Sequence, residues 1–355
     1  MNHTSLQNSG KLTFVRLWRI KHLGDDERMK AALLTDVGKL IVTDTDIPVC
    51  GRDEVLIRVK LGGICGSDHT LYHGRFGVPL PVIPGHEAIG IVEAKGEGVT
   101  GLEPGQRVTI QPNFSCGQCP LCTSGHGNTC PSKIRLGVDT NGVFAEFVKA
   151  PARYVWKVPD ALPDEVAVFT EPLSVGVHAM RITAPNPGDR VLIFGAGIMG
   201  LLVMQLAVSK GAKVSACDLS EKRLSLAEQL GAREIIGPDV SYEGFTNTFD
   251  VIYETSGVPM ALDRVIRLAA PLGKIVVLSL PGKDHAIPID MVVRKELTIR
   301  GSLIYTNEFP EAIECLEKGQ IQTGPLTTGR ISLPELDQFL GAFASPERIK
   351  TLVEI

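Results

Sequence analysis

Four cysteines crowd into fifteen residues as Cys116-x-x-Cys119-x-x-Cys122-x7-Cys130. Four soft thiolates at such spacing suit a tetrahedral zinc ion in a closed, structural site. An iron–sulfur cluster also uses CxxCxxC, but nothing else in the chain suggests electron transfer. Pro120 and Pro131 stiffen the lobe. A second soft and borderline set lies upstream, in Gly63-Ile-Cys65-Gly-Ser67-Asp68-His69 and Pro84-Gly85-His86-Glu87. A catalytic zinc takes three protein ligands and keeps a position open for water or substrate. Cys65 and His86 are candidates for two of them, with Glu87 or a distant carboxylate as the third. Asp68 is placed to hold the other ring nitrogen of His86, the contact that orients most zinc-bound histidines.

A third pattern reads Arg190-Val-Leu-Ile-Phe-Gly195-Ala-Gly197-Ile198-Met199-Gly200. Here a GxGxxG stands where a strand ends and a helix begins. Gly195 permits the tight turn, Gly197 lets the backbone approach a pyrophosphate, and Gly200 allows close packing of helix on strand. The helix start, with Ile198 and Met199 in its first turn, offers free N–H groups and a positive dipole end to phosphates. Asp218 follows eighteen residues after Gly200, at the end of the next strand. A carboxylate there accepts hydrogen bonds from ribose hydroxyls and repels a 2′-phosphate, which favours NAD over NADP. Arg223 complicates that preference, since a guanidinium can stack on adenine or meet a phosphate. The alternative for Asp218 is a cap on the following helix.

These sites need elements to hold them. Val55–Lys60, Ile89–Glu93 and Arg107–Ile110 largely alternate apolar and polar residues, as half-buried strands do. From Pro185-Asn-Pro-Gly-Asp189 onward the texture changes to strands at 190–194, 213–217, 250–253, 274–280 and 297–303. Helices at 198–210 and 220–230 separate the first of these. Such alternation builds a parallel, doubly wound sheet. From about Pro310 the texture is mixed again.

Composition bounds the rest. The chain has 355 residues, beyond the size at which one core usually suffices, so two domains are expected. Apolar residues make up 44% and charged residues 21%, which excludes a disordered or collagen-like chain. Thirty-six basic against forty acidic residues give a net charge of −4, which offers no global attraction to nucleic acid or anionic membrane. Clustered cysteines argue for a metal in a reducing compartment, hence a cytoplasmic location. Val191–Val208 is apolar and uncharged for eighteen residues. Its three glycines and Gln205 fit a buried strand followed by a buried helix better than a membrane span. Residues 1–28 carry Lys11, Arg16, Arg19 and Lys21 among apolar residues. They read as an extension ahead of a folded protein starting at Met29, with a basic amphipathic helix or leader as the alternative.

Taken together, the two metal motifs and the nucleotide motif resemble, in this order, the zinc-containing medium-chain alcohol dehydrogenase superfamily. The resemblance runs from about Met29 to the C-terminus. Thr170-Glu171-Pro172-Leu173-Ser174-Val175-Gly176-Val177-His178 is similar to the sorbitol and polyol dehydrogenase branch, where a glutamate replaces the cysteine of liver-type enzymes. The resemblance implies an α/β two-domain fold: a β-rich, GroES-like catalytic domain over 29–184, a Rossmann domain with a doubly wound parallel sheet over 185–305, and a C-terminal return to the catalytic domain over 306–355. It implies a catalytic zinc on Cys65, His86 and Glu87, with Glu171 as an exchangeable or water-mediated fourth ligand. It implies a structural zinc on Cys116, Cys119, Cys122 and Cys130, and Ser67 as the hydroxyl that relays the substrate proton. A homodimer or homotetramer is the family's habit.

Two departures bear on substrate. Relatives commonly carry a histidine five residues after the cysteine ligand, at the end of the proton relay. Here that position is Thr70, and His69 one residue earlier becomes the candidate. Sorbitol dehydrogenases carry an Arg-Tyr pair near the polyol, whereas this chain has Ile304-Tyr305. Losing the guanidinium removes a fork of donors for hydroxyls. The segment is closer in type to butanediol dehydrogenases. The implied activity is NAD-dependent oxidation of a small-molecule secondary alcohol, a polyol, vicinal diol or sugar acid. Threonine, or a larger and less polar cyclic secondary alcohol, is the alternative.

Overall fold

The computed structural model describes residues 28–355 except positions 281, 283, 344 and 346. The expected N-terminal extension therefore lies outside the described residues, apart from Arg28, which already pairs with Asp46.

A hairpin of β1 (Arg28–Asp36) and β2 (Lys39–Asp46) opens the described chain. In β3 (Glu54–Gly63), exposed Arg58 and Lys60 alternate with buried Ile57, Val59 and Leu61, the period of a strand with one covered face. The strand ends in Gly62-Gly63, and this is a requirement of the site rather than of the sheet. A Cβ on Gly63 would lie 2.1 Å from the Glu87 carboxylate. After α1 (Gly66–Tyr72), β3 pairs antiparallel with β4 (Glu87–Lys95), which pairs with β5 (Arg107–Ile110). Strand β6 (Phe147–Pro151) also pairs with β3, and β7 (Val155–Lys157) with β5. Helix α2 (Thr170–Ile182) then leads into the second sheet.

That sheet is wholly parallel. It runs through β8 (Arg190–Phe194), α3 (Ile198–Ser209), β9 (Lys213–Cys217), α4 (Glu221–Gln229), β10 (Glu234–Ile236), β11 (Phe249–Glu254), α5 (Ala261–Leu268), β12 (Ala269–Val277) and β13 (Thr298–Gly301). The strand order is β10-β9-β8-β11-β12-β13. It reverses between β8 and β11, where doubly wound sheets open a crevice at the strands' carboxyl ends. Every residue of α3 from Gly200 to Ala207 is buried, between the sheet and α2, where Gly176 lets Leu206 and Val203 approach. This packing explains the apolar run, and among the described residues no helix is long and apolar enough to cross a membrane. The strand expected at 274–280 starts earlier, at Ala269. Leu272 takes a positive φ of 64° and the pairing slips between Phe249 and Val251, which breaks the alternation a sequence reading follows.

The chain then returns to the first sheet. After α6 (Phe309–Glu317), β14 (Thr327–Ser332) pairs parallel with β15 (Lys350–Glu354), and β15 pairs antiparallel with β3 at Leu61–Gly63. The architecture is the expected one, a β-rich sheet beside a doubly wound parallel sheet. One core cluster joins them through Leu61, Ile89 and Leu352 on one side and Leu173, Val177 and Val203 on the other.

Candidate active site and metal centres

Cys65 follows β3 and caps α1, while His86 and Glu87 lie at the start of β4. Adjacent antiparallel strands thus bring them together from twenty-one residues apart. Their ligand atoms all lie within 4.8 Å of one another. Asp68 fixes both halves of the set. Its Oδ2 accepts the Cys65 N–H at 2.8 Å, and its Oδ1 accepts the Gly85 N–H at 3.2 Å and lies 3.5 Å from His86 Nδ1. Burial alone would push His86 toward the neutral form, but the Asp68 carboxylate overrides it and raises the pKa well above the usual imidazole value. The contact leaves Nε2 as the ring's free nitrogen. A thiolate, an imidazole with an oriented ring and a carboxylate are the donor set of a catalytic zinc with an open position.

Glu171 sits in the first turn of α2, fully buried, and outside that set of three. Its Oε1 accepts a hydrogen bond from the Tyr305 hydroxyl at 2.8 Å, and Asn113 Nδ2 donates to that hydroxyl at 2.8 Å. Burial, opposed by His86 and reinforced by Glu87, raises the Glu171 pKa to about 7. The carboxyl therefore feels the charges of the set while a tyrosine holds it.

Ser67 is the second residue of α1, half-buried and two positions from Cys65. His69 stacks on Phe343 with ring centroids 5.0 Å apart and meets His73 edge-on. Burial, with His73 and Arg75 nearby, lowers its pKa. Thr70 spends its hydroxyl on the Gly66 carbonyl of its own helix. Among the described residues no hydrogen bond joins Ser67 to His69 or Thr70.

The four cysteines of the second centre converge as their spacing implies, with Cys116, Cys119, Cys122 and Cys130 Sγ atoms within 4.8 Å of one another. Individual Sγ–Sγ separations are 3.4, 3.8 and 3.9 Å. A tetrahedron with zinc–sulfur bonds of about 2.3 Å has edges of about 3.8 Å, so the donor set fits that ion. Backbone N–H groups of Gln118 and Cys119 stabilise the Cys116 thiolate and lower its pKa to about 6. All four cysteines are free of disulfides.

At the nucleotide turn, Gly195 has a φ of 105° and Gly200 packs so closely that a Cβ would lie 1.8 Å from the Gly195 carbonyl. Above Gly197, among the described residues, only Arg223 approaches, at 4.0 Å from where a Cβ would be, so a phosphate has room there. Among the described residues no side chain caps α3, which leaves the first-turn N–H groups of Ile198, Met199 and Gly200 for an anion. Asp218 does not cap α4; Ser220 does. The Asp218 carboxylate instead accepts the Ala196 N–H at 2.7 Å and the Ser220 N–H at 2.9 Å, and Arg223 lies 3.7 Å away. The acid thus ties the end of β9 to the glycine turn, and the cradle fits a dinucleotide.

Sequence reasoning missed Lys350. Its ammonium lies 2.7 Å from both oxygens of Glu87 and donates to the Ile64 carbonyl, with 2% and 1% of the two charged side chains exposed. The signal was a lysine facing inward in Ile349-Lys350-Thr351-Leu352-Val353, where a buried cation demands a partner. The Glu171–Tyr305–Asn113 chain was also missed, since its members lie far apart in sequence.

Comparison with known proteins places the chain in a family. The alcohol dehydrogenase GroES-like domain matches residues 51–160, and the zinc-binding dehydrogenase domain matches residues 199–318. Sorbitol dehydrogenase of Bacillus subtilis is 35% identical over 324 residues, which cover 87% of this chain and 92% of that one. An L-threonine 3-dehydrogenase of Bacillus licheniformis is 36% identical over 309 residues, covering 82% and 88%. Among solved structures, a protein classed as a zinc-binding dehydrogenase of Sinorhizobium meliloti, bound to NADP, superposes with a TM-score of 0.89 at 32% identity, over 93% of this chain and 100% of that one.

Proposed function

The chain belongs to the zinc-dependent medium-chain alcohol dehydrogenase superfamily, whose members oxidise CH–OH groups, and from that premise we propose that it transfers a hydride from a small secondary alcohol to NAD. The observation that carries the reading is the convergence of Cys65, His86 and Glu87 beside a buried Glu171 tethered by Tyr305.

Zinc held by Cys65, His86 and Glu87 would supply Lewis acidity that makes an alcohol easier to ionise. NAD held on the Gly195–Gly200 turn would supply the hydride acceptor. The chain's own residues do the rest. Asp68 orients His86. Lys350 neutralises Glu87, whose two carboxylate oxygens it meets. Ser67 accepts the alcohol proton. Tyr305 holds Glu171 beside the set, as an exchangeable or water-mediated fourth ligand. Asp218 receives the adenosine ribose hydroxyls, which supports NAD over NADP, with Arg223 beside it. His69 is the candidate for the far end of the proton relay. The cysteine lobe would hold a second zinc, one that shapes the fold and does no chemistry.

The substrate belongs to the polyol, vicinal diol or sugar-acid class. Ile304, where the polyol branch carries arginine, supports its less polar members. Threonine is the second reading, favoured by the threonine dehydrogenase similarity. We also propose a homodimer or homotetramer, because among the described residues the outer edge of β13 has no strand beside it and Ile289, Val293 and Leu303, close to it in sequence, are exposed.

NADH production by purified, zinc-replete protein on sorbitol, xylitol, 2,3-butanediol, threonine, gulonate and galactonate tests the reading. A strong, selective rate on one member supports it and names the class. Silence across the panel, with zinc and NAD bound, moves the substrate to a larger, less polar secondary alcohol. Failure to bind NAD would overturn it.

A further inference from the structure

Ile304 has a φ of 42°. A β-branched residue in the left-handed region is a genuine outlier, because its Cβ crowds the following carbonyl. Such strain persists only where the surroundings over-determine it. Three side chains from outside the segment grip it. Asn128 Nδ2 donates to the Leu303 carbonyl at 2.9 Å. Gln111 Nε2 donates to the Thr306 carbonyl at 2.9 Å. Asn113 Nδ2 donates to the Tyr305 hydroxyl. Just beyond, the buried Glu308 carboxylate accepts the N–H groups of Thr306 and Asn307.

Asn128 differs from the other two in its origin. It lies in the turn Gly127–Thr129, two residues before Cys130, inside the four-cysteine lobe. The side chain is buried, and its backbone carbonyl is pinned by Lys133 Nζ at 2.7 Å. Through this bond the lobe reaches the active site, immediately before the strained residue that turns Tyr305 onto Glu171.

We infer that Asn128 is a positioning residue: its amide holds Leu303 so that Ile304 stays left-handed and Tyr305 stays on Glu171, which makes the cysteine lobe part of the substrate site's support. What Tyr305 does for the alcohol rests on the dehydrogenase reading; the clamp itself does not. The substitution Ile304→Gly supplies the internal control, since glycine enters the left-handed region without strain and needs no clamp.

Hydrogen exchange and kinetics on the full-length, zinc-replete protein test the inference with Asn128→Ala, Ile304→Gly and the double variant. In Asn128→Ala, the Thr306 and Asn307 amides should exchange about three- to tenfold faster, the range one net hydrogen bond allows. Amides of β8 and α3 should keep their rates, and the zinc content should match wild type. KM for the alcohol should rise over the same range while KM for NAD stays fixed. In the Ile304→Gly background the same substitution should change both quantities less than twofold. Unchanged exchange at 306–307 in Asn128→Ala overturns the inference. So does faster exchange throughout the chain, which would make Asn128 merely structural. An equal response in the Ile304→Gly background overturns the role of strain, and faster local exchange with an unaltered alcohol KM overturns the role in positioning. If wild type oxidises no alcohol, the dehydrogenase reading fails on its own and the exchange results still decide the clamp.

Discussion

Lys350 and Glu87 form an ion pair in which one ammonium meets both carboxylate oxygens at 2.7 Å, and the pair is closed off from water. The lysine comes from the last strand and the glutamate from β4, with β3 between them. Burial alone would strip the lysine of its proton, but the charge of Glu87, followed by that of Cys65, holds its pKa above the usual range. The C-terminal strand therefore joins β14 to β3 in the sheet and also balances the charge of the buried carboxylate in the candidate metal set.

Lys350→Met should expose that dependence. Removing one member of a buried pair strands the other, at a cost of roughly 3–5 kcal/mol. Urea denaturation of the metal-free protein should show a loss of that order. Zinc should recover part of it, because the ion replaces the missing cation beside Glu87. A variant as stable as wild type without metal would mean that Glu87 and Lys350 are not charged together.

The two cysteine sets should separate cleanly. Cys65→Ser should lower kcat/KM by more than about 100-fold, beyond the usual cost of losing an outer partner of a metal ligand, with little change in the denaturation midpoint. Cys119→Ser should instead lower the midpoint and disturb assembly, because only Asn128 and Cys130 of the lobe are buried and apolar packing does little to hold it shut. Elemental analysis should find two zincs per wild-type chain and one in each variant. An equal loss of stability in both would remove the division between a chemical and a structural centre.

What the sequence made legible follows a simple physical line. Cys116 to Cys130, Gly195 to Gly200 and the strands 190–194 and 213–217 are local patterns, and each lies in the structure where its spacing implies. Cys65 and His86 were legible as candidate ligands from their residue types, and Glu171 through resemblance, because its short segment keeps a family pattern. Asn113 and Asn128 carry no such signal, and Lys350 only that of a lysine within an apolar strand. Each acts through contacts made more than 150 residues away, and the pairing of β15 with β3 or the path of the 302–308 segment brings the partners together. Ile304 is the opposite case: its residue type argues against the backbone it adopts, so local reasoning fails there.

Glu308 gives the fold an acid-sensitive joint. Its carboxylate is buried, which alone would raise its pKa, but His178, the Thr306 amide and Arg181 outweigh burial and lower it. A folded pKa below the unfolded value of about 4.3 means stability present above that pH and lost as pH falls through the folded value. Glu308→Gln should therefore cost roughly 1.5–3 kcal/mol at pH 7, as charged hydrogen bonds do, and the gap to wild type should narrow below about pH 4. Denaturant midpoints measured from pH 7 to pH 3 check this. A gap independent of pH would show that the charge on Glu308 contributes nothing.

Asp218 should decide the cofactor, and the structure indicates which substitution asks the question fairly. Its carboxylate also accepts the Ala196 and Ser220 N–H groups, so Asp218→Gly removes the charge and loosens the glycine turn together. Asp218→Asn removes the charge while keeping a carbonyl oxygen for one of those amides. With the repulsion gone and Arg223 3.7 Å from the same oxygen, a 2′-phosphate gains a cation where it met an anion. The ratio of kcat/KM for NADP over NAD should then rise by roughly tenfold or more, the worth of one charged hydrogen bond lost to the ribose. The direction does not depend on which alcohol is used, because the adenosine end lies apart from the reacting carbon. An unchanged ratio in both variants would leave Asp218 as a brace for the turn and pass the choice of cofactor to Arg223.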